Sequence, residues 1–107
     1  MQAIEELYQT IKERKESGEE GSYTSYLFEK GTEKILKKVG EECSEVIIAT
    51  LAQKKEDQVN EISDLLYHLL VLMVQKDISL EDINTELNKR SQTQHNLKAE
   101  RKPIENL

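Results

Sequence analysis

The segment Leu65-Leu66-Tyr67-His68-Leu69-Leu70-Val71-Leu72-Met73-Val74 constrains this chain more than any other. It is apolar on almost every side of a helix, and such a helix must be buried on every side. It is too short to cross a bilayer, which takes about 20 apolar residues. Its covering must therefore come from protein. Only 36% of the 107 residues are hydrophobic, with one Phe and no Trp. Three amphipathic neighbours in so short and polar a chain can hardly wrap it. Two chains sharing one core solve the problem, as a homodimer or a pair of dimers. The alternative is a monomeric four-helix bundle with one sticky face.

The rest of the chain also reads as helix. Gly occurs only at Gly18, Gly21, Gly31 and Gly40, and the single Pro103 lies near the end. Few breakers and abundant Glu, Lys, Leu and Ile favour long helices. The expected fold class is all-α, one domain over residues 1–107 with about four main helices. The first covers roughly 2–16, with Ile4, Leu7, Tyr8 and Ile11 on one face, and ends near Ser17-Gly18. The segment Ser22 to Phe28 is compatible with a short helix, and its aromatics and hydroxyls are unusual in this chain. The second main helix starts with Thr32 as N-cap and runs to about Gln53. Leu36, Val39, Cys43, Val46, Ile47 and Thr50 form its core stripe, with Cys43 as a small buried hydrophobe. The third runs from about Glu56 to Gln75. The fourth opens at Ser79-Leu80-Glu81-Asp82, a capping-box variant. A tail from about residue 95, His95 included, is expected to be poorly ordered or docked on a partner.

Asp and Glu number 21 against 15 Lys and Arg, a net charge of −6. That excludes a uniformly basic nucleic-acid footprint. No membrane span and no basic-then-apolar leader is evident. The lone Cys43 can form no intramolecular disulfide, so a soluble cytoplasmic protein is expected.

Two acidic pairs stand out. Glu42-x-x-Glu45 lies on the second main helix, with Glu41 beside it, and Glu61-x-x-Asp64 lies on the third. Residues three apart share a helix face, so each pair sets two like charges side by side, which is costly alone. The polar stretch Lys54 to Asp57 joins the two helices, and short connections make antiparallel neighbours. Both pairs lie within about a dozen residues of that turn, Glu45 before it and Glu61 after it, so the pairs are expected to meet at one height. Four converging carboxylates make a hard, all-oxygen site suited to Mg²⁺ or Mn²⁺. The competing reading is two solvated acidic faces. Lys34 and Lys38 run along the same side as Glu42. They are either ordinary Lys–Glu helix partners or ligands for phosphate oxygens. His68, one turn after Asp64, is either a satisfied core residue or a partner that orients Asp64.

Taken together, Ser22-Tyr23-Thr24, Leu27, Gly31, Lys34-Ile35, Lys38-Val39-Gly40-Glu41-Glu42-x-x-Glu45 and Asn60-Glu61-x-x-Asp64-Leu65-x-Tyr67-His68-Leu69-Leu70-Val71 resemble the phosphoribosyl-ATP pyrophosphohydrolases. The likeness spans roughly residues 3–94. The ExxE and ExxD pairs alone are shared by the wider all-α nucleotide pyrophosphohydrolases, which include MazG-like and dimeric dUTPase enzymes. The resemblance implies a stand-alone, Mg²⁺-using homodimer of histidine biosynthesis. It would hydrolyse phosphoribosyl-ATP at the α–β phosphoanhydride to phosphoribosyl-AMP and pyrophosphate. It makes Glu42, Glu45, Glu61 and Asp64 the metal ligands and Glu41 a further acid near the metal or water, with Glu41, Glu42 and Lys38 as the catalytic residues and Glu41 or one of the four ligands taking the water's proton. It makes Lys34 and Lys38 phosphate ligands, with Lys38 acting in the transition state. Tyr23 and Thr24 would shape the substrate pocket, and Arg90 would reach phosphate. Two alternatives are a house-cleaning nucleoside triphosphate pyrophosphohydrolase and a non-catalytic helical dimerisation module.

Overall fold

A computed structural model describes residues 2–52 and 54–92. Five helices follow in order: α1 (Gln2–Ser17), α2 (Tyr23–Lys30), α3 (Thr32–Ala52), α4 (Lys55–Gln75) and α5 (Leu80–Ser91). No strand occurs among the described residues. The all-α expectation holds, and the segment after Ser22 is a fifth helix beside the four main ones. The expected tail, with His95, lies outside the described residues.

The helix ends follow local chemistry. Gly18 takes φ 61° and closes α1, its N–H donating to the Arg14 carbonyl at 2.9 Å. Ser22 caps α2, its hydroxyl oxygen accepting from the Ser25 N–H at 3.2 Å. Gly31 takes φ 92° and is the only residue between α2 and α3. Thr32 is therefore the first residue of α3 and not its N-cap. Its hydroxyl oxygen instead accepts from Gln75 Nε2 at 3.1 Å, tying the start of α3 to the end of α4. The capping box of α5 forms as expected. The Ser79 hydroxyl accepts from the Asp82 N–H at 3.0 Å, and the Asp82 carboxylate accepts from the Ser79 N–H at 2.8 Å.

The helices α3 and α4 form an antiparallel hairpin, against which α1 and α2 pack. The core gathers Ile11, Leu27, Ile35, Leu70, Val71 and Val74, ringed by Leu7, Tyr8, Phe28 and Tyr67. It surrounds the C-terminal half of α4, and Tyr8 secures it there by donating to the Ile78 carbonyl at 2.8 Å.

One expectation is corrected. Within the chain α3 buries Ile35 and Ala49, whereas Leu36, Cys43, Ile47 and Thr50 of the expected stripe are exposed. Cys43 is an exposed free thiol and not a buried hydrophobe. The reason is geometric. At roughly 100° per residue, Leu36, Cys43, Ile47 and Leu51 share one face of α3, and Ile35, Glu42 and Ala49 share another. Only the second faces the rest of the chain. The bare face continues onto α4 through Val59, Ile62 and Leu66, all exposed.

Candidate active site

The hairpin sets Glu42 of α3 across from Glu61 and Asp64 of α4. One carboxylate oxygen from each lies within 4.8 Å of the others. This convergence comes from antiparallel packing and the matched distances of the two pairs from the turn. Glu45 does not join these three, but it stands close enough for its charge to act on Glu61. Desolvation, then the like charges of Asp64, Glu45 and Glu42, push the Glu61 carboxyl above its ordinary range, against a hydrogen bond from Asn60.

Lys38 neutralises one edge of this group. Its Nζ lies 3.1 Å from Glu41 Oε1 and 3.8 Å from Glu42 Oε2. The Glu41 contact raises the Lys38 pKa and lowers that of Glu41. The charges of Lys37 and Lys34 lower Glu41 further, so Lys34 shares this edge. Among the described ion pairs none involves Glu61 or Asp64. Three carboxylates with one shared lysine leave an excess of negative charge between two helices. A cation there would offset it.

Tyrosines close the other side. Tyr23, from the first turn of α2, lies hydroxyl to ring nitrogen with His68 Nε2 at 2.9 Å. The Thr24 hydroxyl bonds that of Tyr67. Tyr23 stacks on Tyr26 and Tyr67, each with ring centroids 6.1 Å apart. Burial, opposed by the Thr24 bond, raises the Tyr67 pKa. Burial also raises that of Tyr23, against the pull of Lys38, and the charge of Glu42 adds to the rise. Tyr23 therefore stands beside the Lys38–Glu42 pair. An open cleft of about 890 Å³ lies along α2, lined by Arg14, Lys15, Tyr23, Tyr26 and Phe28 among others. Tyr23 is the side chain common to that cleft and the charged cluster.

The expected residues are thus sorted. Glu42, Glu61 and Asp64 converge, with Lys38 and Glu41 at their edge. Tyr23 joins them, and Thr24 is turned to Tyr67. His68 is buried at 5% exposure and reaches Asp64 through the main chain, Nδ1 donating to the Asp64 carbonyl at 2.8 Å. Arg90 lies on α5, where its Nε pairs with Glu86 at 3.0 Å. The sequence reading gave no role to Tyr67 and Tyr26. The available signal was that the four tyrosines make up most of the aromatic residues of this chain.

Fold and site together describe an all-α hairpin enzyme with a carboxylate cluster fit for a divalent ion and lysines fit for phosphate. Comparison with known proteins names the family. The family model for phosphoribosyl-ATP pyrophosphohydrolase matches residues 4–91. A protein of Clostridium novyi named phosphoribosyl-ATP pyrophosphatase is 58% identical over 104 residues, covering 97% of this chain and 94% of its own. One of the same name from Clostridium acetobutylicum matches at 58% with the same coverage. The Histidine biosynthesis bifunctional protein HisIE of Caldanaerobacter subterraneus is 56% identical over 84% of this chain, which covers 44% of that protein. The chain belongs to the phosphoribosyl-ATP pyrophosphohydrolase family.

Proposed function

We propose that this chain hydrolyses phosphoribosyl-ATP to phosphoribosyl-AMP and pyrophosphate, the second step of histidine biosynthesis, with Mg²⁺ held by Glu42, Glu61 and Asp64. The substrate and reaction rest on family membership across residues 4–91. The metal rests on the three converging carboxylates, where desolvation first and their like charges next raise the Glu61 carboxyl. Such a donor set is hard and all-oxygen, which suits Mg²⁺, and Mn²⁺ also fits. Glu45 completes the set in this reading by a change of rotamer. When bound, the ion supplies charge neutralisation at the phosphates and lowers the pKa of a bound water.

The remaining work falls to this chain's own side chains. Lys38, with Lys34 along the same edge, meets phosphate oxygens and stabilises charge developing on the leaving pyrophosphate. Glu41 holds Lys38 in place. Glu41 or one of the cluster carboxylates takes the water's proton. Tyr23 bounds the pocket directly, and Thr24, bonded to Tyr67, ties the helix that carries Tyr23 to α4. Arg90 is a phosphate contact in this reading on the family likeness alone.

The active form is a homodimer. Leu36, Ile47, Leu51, Val59, Ile62 and Leu66 leave one apolar face bare on α3 and α4. A contiguous exposed apolar face marks an interaction site, and a second copy presents the same patch. The deciding assay measures pyrophosphate released from phosphoribosyl-ATP with and without Mg²⁺, with dUTP and ATP as comparators. Preference for phosphoribosyl-ATP supports the proposal. Preference for dUTP makes the chain a house-cleaning pyrophosphohydrolase, and no turnover of any of the three makes it a dimerisation module.

A further inference from the structure

His68 has a feature that its place in an apolar helix does not require. Both ring nitrogens are engaged, and one partner can only accept. The Asp64 carbonyl, 2.8 Å from Nδ1, fixes the ring proton on Nδ1. In the neutral ring Nε2 then carries only a lone pair, so at 2.9 Å it must accept from the Tyr23 hydroxyl. The Tyr23 proton is spent on His68. What Tyr23 offers towards the cleft and the Lys38–Glu42 pair is oxygen lone pairs alone. His68 cannot easily swing away, since it is 5% exposed and packed edge-on against Tyr67 and Tyr23, with ring centroids at 4.9 and 5.8 Å.

We infer that His68 is a positioning residue that fixes the direction of the Tyr23 hydroxyl. Tyr23 thereby accepts a hydrogen bond in the loaded site and does not donate to phosphate. A phosphate group ionised at neutral pH offers no such donor, so the donor is a hydroxyl or amino group of the substrate or the attacking water. Phosphate recognition is left to the lysines. This role differs from orienting the Asp64 carboxylate, because His68 holds only the main-chain carbonyl of that residue. For what Tyr23 meets, the inference rests on the proposed hydrolysis. For the direction of the hydrogen bond it does not.

The test has two arms. The first is imidazole ¹⁵N NMR of the full chain without substrate, with the His68 signals assigned by His68→Gln. A protonated Nδ1 and an unprotonated Nε2 that shifts in Tyr23→Phe are expected. A protonated Nε2 overturns the inference whether or not the chain is active, so its failure is separable from failure of the hydrolysis reading. The second is a kinetic cycle of Tyr23→Phe, His68→Leu and the double variant. Each single change should lower kcat/KM about tenfold, the worth of one hydrogen bond. The double variant should be no worse than either, and His68→Gln, whose amide oxygen can still accept, should recover part of the loss. A loss carried in KM assigns the donor to the substrate, and a loss in kcat assigns it to water. Additive effects, or a Tyr23→Phe variant with wild-type kinetics, overturn the inference. Helical circular dichroism identifies any variant that fails to fold, and the Tyr23→Phe and NMR results then decide.

Discussion

The bare face of the α3–α4 hairpin makes a quantitative demand on assembly. Ile47 is 60% exposed within the chain, and Leu51 is 83% exposed. Full burial of an Ile side chain is worth about 1.5–3 kcal/mol, so covering the exposed part of Ile47 is worth about 0.9–1.8 kcal/mol. A two-fold axis counts this twice, giving about 1.8–3.6 kcal/mol per dimer. Ile47→Asp forfeits that gain and adds the cost of desolvating two carboxylates. The dimer dissociation constant should therefore rise by at least roughly 20- to 400-fold. Sedimentation equilibrium at micromolar concentration reads this directly. The wild-type chain should have twice the single-chain mass, and Ile47→Asp should shift strongly to one chain. A wild-type monomer, or a variant that associates as tightly as wild type, would refute the reasoning.

Three further outcomes follow from the same contacts. Leu27 is fully buried where α2 meets the core, so Leu27→Ala should cost about 2–5 kcal/mol in urea unfolding, and a change under about 1 kcal/mol would contradict the packing described. Tyr67→Phe removes the bond to Thr24 that ties α2 to α4 and should cost about 1 kcal/mol, read from the urea midpoint, while an unchanged midpoint would show the bond to be idle. The raised Glu61 carboxyl fixes the sign of a pH effect in the metal-free chain. The folded state holds that proton more tightly than the unfolded chain does. Stability should therefore fall as pH rises from the ordinary value of 4.5 through the raised one. Thermal melts in a chelator should show this fall, Glu61→Gln should lessen it and Mg²⁺ should reverse it. A Glu61→Gln melt profile matching wild type would remove the like-charge account.

Much of the architecture was legible because few residues in this chain oppose helix. Gly18 and Gly31 fall where the helices end, and the Ser79–Asp82 box was readable letter by letter. The acidic constellation was legible for a related reason: helical spacing and one short turn fix which carboxylates face one another. Other features depend on distances between elements, which spacing along one helix does not encode. Apolar residues line two faces of α3, and the pattern alone could not say which of them its own chain covers. That is why Cys43 was expected inside and lies outside. Thr32 resembled a cap, but Gly31 at positive φ lets α2 run straight into α3 and frees the threonine hydroxyl for Gln75. The engagement of Tyr23 with His68 and of Thr24 with Tyr67 joins residues 45 and 43 positions apart, beyond the reach of periodicity.

The central claim is that Glu42, Glu61 and Asp64 form one metal-dependent hydrolytic site. Its most direct test is pyrophosphate release from phosphoribosyl-ATP by wild type and by Asp64→Ala at the same Mg²⁺ concentration, with both proteins shown to be helical and of equal mass. The account predicts Mg²⁺-dependent turnover by wild type and none above background by the variant. Full activity of folded Asp64→Ala would contradict it.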